Sequence, residues 1–130
     1  MPFLTTLFAL LFSVASLAQP DEPEKHIVRS HDNGNPYVVV YTVGPEYDKV
    51  KEELYYEDGQ LDYVGHFKNG KEHGDWIYYW PNGNRKSIEY YQNGAENGTM
   101  YDYNEKGEPI IEYKYLRGIL IKKKDLTSQE

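Results

Sequence analysis

The 130-residue sequence predicts an all-β fold: an antiparallel meander of stacked β-hairpin repeats with a 24-residue period, forming a single elongated curved sheet. Three observations lead there. Gly59, Gly83 and Gly107 stand 24 residues apart, and Gly70, Gly94 and Gly118 keep the same interval in a second series. Tyr55, Tyr79 and Tyr103 share that period, as do the aromatic positions Phe67, Tyr91 and Tyr115. Between the glycines lie short runs rich in tyrosine and β-branched residues, bounded by Asn-Gly or Asp-Gly, pairs that tolerate the positive φ of tight hairpin connections. A fixed interval of this size marks units that bury their faces by stacking on one another.

Taken in order, the chain opens on an uncharged segment, MPFLTTLFALLFSVASLAQP, whose apolar run from Leu7 to Phe12 continues through Val14, Ala15 and Leu17. Small Ser16 and Ala18 suit a signal peptidase, so residues 1–18 read as a secretory signal cleaved after Ala18, and the mature chain as exported, periplasmic or secreted. The run is shorter than the roughly 20 residues that span a bilayer. Residues 19–36, punctuated by Pro20, Pro23 and Asp32-Asn33-Gly34, read as a flexible polar leader.

The repeat domain is expected over 37–124, with strands at Tyr37–Val43, Lys51–Tyr56, Leu61–Phe67, Trp76–Trp80, Lys86–Tyr91, Thr99–Tyr103, Ile110–Tyr115 and Ile119–Lys122. Val43-Gly44-Pro45-Glu46 breaks the period, so the first hairpin reads as a degenerate cap. Residues 125–130 form a C-terminal tail. No segment has a helical period of useful length.

Composition narrows the chemistry. With 21 acidic and 14 basic residues the formal charge is -7, which disfavours nucleic acid and gives no expectation of strong binding to anionic membranes. There is no cysteine, hence no disulfide and no thiolate nucleophile. His26, His31, His66 and His73 do not converge in sequence, and the pair His66 and His73 straddles the Asn69-Gly70 turn, so no metal site and no cofactor are predicted. The carboxylates Glu52-Glu53, Glu57-Asp58 and Asp62 come with no cleft that would make an acid/base pair of them, and the chain reads as non-enzymatic. Lys122-Lys123-Lys124 reads as a solvated edge that resists aggregation.

Tyrosine carries the remaining signal. All 14 tyrosines follow position 36, whereas three of the four phenylalanines fall within the signal segment. A ring that shields backbone and reaches water with its hydroxyl suits a sheet with two half-wet faces, so most of these rings pack the sheet. A minority form a candidate binding face at Tyr63, Trp76, Tyr78, Trp80 and Tyr90, since aromatic side chains supply large contact area at low entropic cost. The expected partner is a protein. The alternatives are a glycan stacked on the same rings, or a passive structural envelope protein that self-associates edge to edge.

The segment Tyr55-Tyr56-Glu57-Asp58-Gly59-Gln60-Leu61, continuing through Gly65-His66-Phe67-Lys68-Asn69-Gly70-Lys71-Glu72-His73-Gly74-Asp75-Trp76, resembles the bacterial, tyrosine-rich form of the MORN repeat variant. Tyr78-Tyr79-Trp80-Pro81-Asn82-Gly83 through Gly98 is similar. A third copy keeps Gly118 but places Lys122 where the Gly74 and Gly98 series would continue, and sets Pro109 in a strand, which reads as a C-terminal cap. The resemblance, covering Tyr55 to Gly118, implies a stack of antiparallel hairpins serving as a binding or spacing module. Some eukaryotic relatives are linked to phospholipid binding, a link the acidic composition here does not favour.

Overall fold

The computed structural model describes residues 21–128. The expected signal segment lies outside the described residues. Ten strands form one antiparallel sheet: β1 Glu24–Ser30, β2 Pro36–Val43, β3 Asp48–Tyr55, β4 Leu61–Lys68, β5 Lys71–Tyr79, β6 Arg85–Gln92, β7 Ala95–Glu96, β8 Gly98–Tyr103, β9 Pro109–Leu116 and β10 Ile119–Asp125. Neighbours in sequence are neighbours in space, in the order β1-β2-β3-β4-β5-β6-β8-β9-β10, with β7 also paired to β6. The sheet is an open meander of hairpins repeating about every 24 residues and does not close into a barrel.

Two rims of turns hold the rows in register. Along one rim each turn closes with a pair of backbone bonds: Tyr56 N–H to Gln60 O (2.8 Å) and Gly59 N–H to Tyr56 O (2.9 Å) recur as Trp80 to Asn84 (2.8 Å) and Gly83 to Trp80 (2.8 Å). The glycine in this turn sits at φ 89° in Gly59 and 88° in Gly83, a conformation that costs a residue with a Cβ. Along the opposite rim, Asn69-Gly70, Asn93-Gly94 and Arg117-Gly118 each place two consecutive residues at positive φ, the geometry of the tightest hairpin loops. Asparagine adopts that geometry most readily among residues with a Cβ, and Arg117 at φ 50° is the exception that marks the last hairpin.

The first rim also carries a ladder of side-chain bonds. His31 Nε2 lies 2.8 Å from Tyr55 O, Tyr56 Oη donates to Tyr79 O (2.7 Å), and Trp80 Nε1 donates to Tyr103 O (3.1 Å). Three different rings at equivalent turn positions thus tie each turn to the next, each with a donor at its far end. Replacing Trp80 with phenylalanine keeps the ring and removes the donor. The expected cost is about 1 kcal/mol, read as a lowered urea midpoint at unchanged slope.

A single layer offers little interior. Among the described residues, Val39 and Met100 are the buried hydrophobic side chains, and Thr42 and Glu53 the buried polar ones. Stability therefore rests on half-buried rings, ladder hydrogen bonds and turns.

The structure departs from the sequence-based expectation in several places. Residues 24–30, expected within a flexible leader, form β1 and pair with β2 from Glu24↔Thr42 to Ser30↔Pro36. Six of the seven β1 residues are exposed, so no alternation of burial shows in the sequence. The strand is held by its backbone ladder and by His26 Nε2 against Thr42 Oγ1 (2.9 Å). The strand expected to begin at Trp76 begins at Lys71, running through Gly74 at φ 87° as an irregularity in the pairing. It ends at Tyr79, leaving Trp80 in the turn. The last strand reaches Asp125 rather than Lys122.

Candidate functional site: an aromatic face on the central strands

Register decides which rings meet. Tyr63 pairs with Tyr78 and Gly65 with Trp76 across β4 and β5, while Trp76 pairs with Glu89 and Tyr78 with Ser87 across β5 and β6. Directly opposed residues share a face, so Tyr63, Trp76 and Tyr78 stand together with Ser87 and Glu89. Phe67 and Tyr91 lie on the same face two residues along their strands. The rings of Tyr63 and Trp76 stack at 5.6 Å and 12°, Tyr63 and Tyr78 sit 5.4 Å apart, and Phe67 and Tyr91 meet Trp76 edge-on at 5.3 and 5.6 Å. Trp76 is the hub of this cluster.

Gly65 makes that hub possible. A Cβ built on Gly65 would approach the Trp76 ring carbons to 2.7 Å, so the indole lies directly over the glycine backbone. Gly65 is absent from the ten glycines with positive φ, so its role is space and not backbone freedom. Trp76 Nε1 donates to His66 O (3.1 Å), fixing the ring along the strand.

Of the five residues expected to form the face, Tyr63, Trp76 and Tyr78 are brought together and two are not. Tyr90 pairs with Asp75 and points from the opposite side of the sheet; its neighbour Tyr91 takes the place expected for it. The doublet Tyr90-Tyr91 gives no way to choose between them without the register of β5 on β6. Trp80 stands at the rim, its indole N–H bound to Tyr103 O and its ring covered by the Lys86 ammonium at 4.9 Å. Phe67, Tyr91 and Gly65 are the members of this face that sequence reasoning did not select. The shared period of Phe67 and Tyr91 was the available signal.

The hydroxyl ends of the rings are taken up by carboxylates. On the Trp76 face, Tyr63 Oη donates to Glu52, Tyr91 Oη to Glu89 (2.8 Å) and Tyr113 Oη to Asp102 (2.8 Å). On the other face, Glu53 accepts from Tyr41 (2.8 Å), Tyr55 (2.6 Å) and the Lys51 ammonium (2.9 Å). Burial, reinforced by bonding to an anion, raises the phenols of Tyr63 and Tyr91 well above their ordinary value, and those of Tyr41 and Tyr113 to about 12. Burial also pushes the Glu89 carboxyl up, partly offset by the Tyr91 hydroxyl and reinforced by the charges of Asp102 and Glu96. For Glu53 burial acts upward too, but donation from Lys51, Tyr55 and Tyr41 together outweighs it and leaves the carboxyl below its ordinary value.

The carboxylates of this acidic chain thus serve as acceptors for ring hydroxyls, an architectural use. Among the described residues, no three histidine or acidic side chains gather as a metal site would require. His66 Nδ1 bonds to Asp75 O (2.9 Å), and His73 Nδ1 is buried without a partner. These side chains build an all-β module with an aromatic-rich face.

The same strands carry the family likeness. Residues 50–69 and 72–93 match the MORN repeat variant. The two matched MORN stretches run from β3 through β4 and from β5 through β6, the strands that present Tyr63, Phe67, Trp76, Tyr78 and Tyr91. No curated protein matches the chain. Among solved structures, the Glycosylation Associate Protein (Gap123) complex from Streptococcus agalactiae is similar at 24% identity and a TM-score of 0.47, over 78% of this chain and 18% of that one. Accessory secretory protein 1, 2 and 3 in Streptococcus pneumoniae is similar at 17% identity and a TM-score of 0.47, over 85% and 20%. The chain therefore spans about a fifth of the length of either.

Proposed function

We propose that this chain is an exported binding module that engages a protein partner through the face centred on Trp76 and Tyr78. The observation that carries the reading is the cluster itself: five aromatic rings from β4, β5 and β6 gathered on one side of an open single-layer sheet, half-buried and, among the described residues, with no second layer packed on them. Clustered aromatic side chains held rigid by their neighbours are what protein interfaces use as energetic centres.

Ring orientation favours a protein over a glycan. A sugar stacks on ring faces laid open side by side, whereas these rings pack on one another, Tyr63 stacked with Trp76 and Phe67 and Tyr91 edge-on to it. That leaves a contiguous apolar surface, which suits side chains of a partner.

Tyr78 is the position to test, because Trp76 is bound up with Gly65 and its removal would disturb the sheet. Tyr78→Ala, with the fold verified by its urea midpoint, is expected to weaken binding of the partner at least about tenfold, as loss of a central aromatic contact does. Tyr90→Ala on the opposite face is expected to leave it unchanged. The reading would be wrong if capture from an envelope and secreted extract were the same for both variants and the parent chain. Binding to a glycan array that Tyr78→Ala abolishes would instead support the carbohydrate reading.

A further inference from the structure

The chain has five Asn-Gly pairs, beginning at Asn33, Asn69, Asn82, Asn93 and Asn97. Asparagine before glycine is open to one intramolecular reaction, attack of the glycine nitrogen on the asparagine side-chain carbonyl, because the following residue has no Cβ to block the approach. In a folded chain the reaction also needs the side chain and the glycine N–H to be free to move.

Four of the pairs are held. Asn33 donates from Nδ2 to Glu57 O (2.8 Å) and accepts at Oδ1 from the Asn35 N–H (2.9 Å), and Asn82 repeats both bonds with Glu105 O (2.7 Å) and the Asn84 N–H (2.9 Å). Their glycines are held as well, Gly34 N–H by His31 O (2.9 Å) and Gly83 N–H by Trp80 O (2.8 Å). Asn97 donates to Gln92 Oε1 and accepts from the Arg117 N–H, both at 3.3 Å. In the fourth pair, Gly94 N–H donates to Glu72 O (2.9 Å).

Asn69 differs from Asn93 in that bond. Both asparagines are exposed, both sit at φ 51°, and they occupy equivalent turns one period apart. Among the described residues, however, no backbone carbonyl accepts from the Gly70 N–H. A Cβ built on Gly94 would meet Glu72 Oε2 at 3.5 Å and Lys71 Cβ at 3.8 Å, whereas one on Gly70 would meet nothing within 4 Å. The cause lies in the row before. Glu72 O serves Gly94 and Glu96 O serves Gly118 (2.8 Å), so the matching acceptor for Gly70 is Asp48 O, 24 residues ahead of Glu72. The irregular turn at Gly44-Pro45-Glu46-Tyr47 breaks the period just there, and the bond is not made.

We infer that Asn69 is a modification site, the place where this chain converts itself to aspartate and isoaspartate ahead of its other Asn-Gly pairs. The Asn69–Gly70 peptide rotates out of the turn, which the open space around Gly70 permits. Gly70 N gives its proton to the solvent and bonds to Asn69 Cγ; the Cγ–Nδ2 bond breaks, and the amide nitrogen leaves as ammonia with a proton from water. Water then opens the cyclic imide. Cleavage of the new bond to Cγ gives aspartate, and cleavage of the bond to the backbone carbonyl carbon gives isoaspartate, whose main chain runs through Cβ. Isoaspartate lengthens the two-residue loop that sets Lys68 against Lys71, the hairpin that also sets Tyr63 against Tyr78. The site thus places the candidate face under a slow chemical clock.

Peptide mapping by mass spectrometry after cleavage at glutamate, on purified chain sampled during storage in warm, mildly alkaline buffer, tests this. Asn69 should be converted at least about fivefold faster than Asn93, the factor expected for one hydrogen bond that must open first. It should also outpace Asn33, Asn82 and Asn97. In guanidinium-unfolded chain Asn69 and Asn93 should react at like rates, since the fold no longer distinguishes them. Asn93 keeping pace with Asn69 in the folded chain, an intact Asn69 after the unfolded chain has reacted, or the same preference for Asn69 in the unfolded chain would each overturn the proposal.

Discussion

Gly65→Ala is expected to destabilise the protein by about 2–3 kcal/mol, the range for forcing a methyl group into an occupied site. The added Cβ would sit 2.7–2.8 Å from three carbons of the Trp76 ring system, closer than van der Waals contact allows. The indole cannot simply swing away, because Tyr63 stacks on it, Phe67 and Tyr91 abut its edges, and its N–H is bound to His66 O. Urea denaturation measures the loss. A double-mutant cycle identifies its cause: in a Trp76→Ala background the same Gly65→Ala change should cost under about 0.5 kcal/mol, since the clash has no second partner. Equal costs in both backgrounds would mean that Gly65 matters for the strand backbone and not for the ring above it.

Glu53→Ala is expected to cost about 2–3 kcal/mol, because it strips an acceptor from three donors at once. The hydroxyls of Tyr41 and Tyr55 and the ammonium of Lys51 all converge on this buried carboxylate. Glu53→Gln retains one oxygen acceptor and should lose less. The same site sets an acid limb. The folded carboxyl lies below its ordinary value while the unfolded one titrates near about pH 4.3, so Glu53 stabilises the fold above that pH and loses its contribution as the pH falls through the folded value. Glu89 acts with the opposite sign: its raised carboxyl takes up a proton in the folded state first, so protonation relieves a strain that ionisation imposes. Stability measured against pH should therefore fall less steeply on the acid side in Glu53→Gln than in the parent, and more steeply in Glu89→Gln.

Much of the fold was legible because turns write themselves into sequence. A residue held at positive φ is glycine or asparagine in most of these turns, so Gly59, Gly83 and Gly107 on one rim and Gly70, Gly94 and Gly118 on the other expose the period directly. β1 was not legible. Its side chains face water on both sides, so the alternation that announces a half-buried strand is missing, and only its backbone bonds to β2 make it a strand.

The aromatic face was legible in part for the same kind of reason. Trp76 and Tyr78 alternate along one strand and are bound to share a side; Tyr63 joins them because the Asn69-Gly70 hairpin folds β4 onto β5. Trp80 would continue the alternation, but the pairing shifts between Tyr78 and Tyr79 and the chain turns away. Tyr90 and Tyr91 are equivalent as letters. Their sides are set by Asp75↔Tyr90 and Gly74↔Tyr91, pairings continuous with Trp76↔Glu89 in the register of β6 on β5.

The sequence by itself thus determined the period, the places of the turns and the antiparallel order of the strands, since each follows from backbone preferences of single residues and their neighbours. Which rings meet, which acids receive their hydroxyls and why Gly65 must be bare were decided only in the tertiary structure. Those contacts lie across strands, and a single bulge changes which side chains face one another without leaving a mark on composition or spacing.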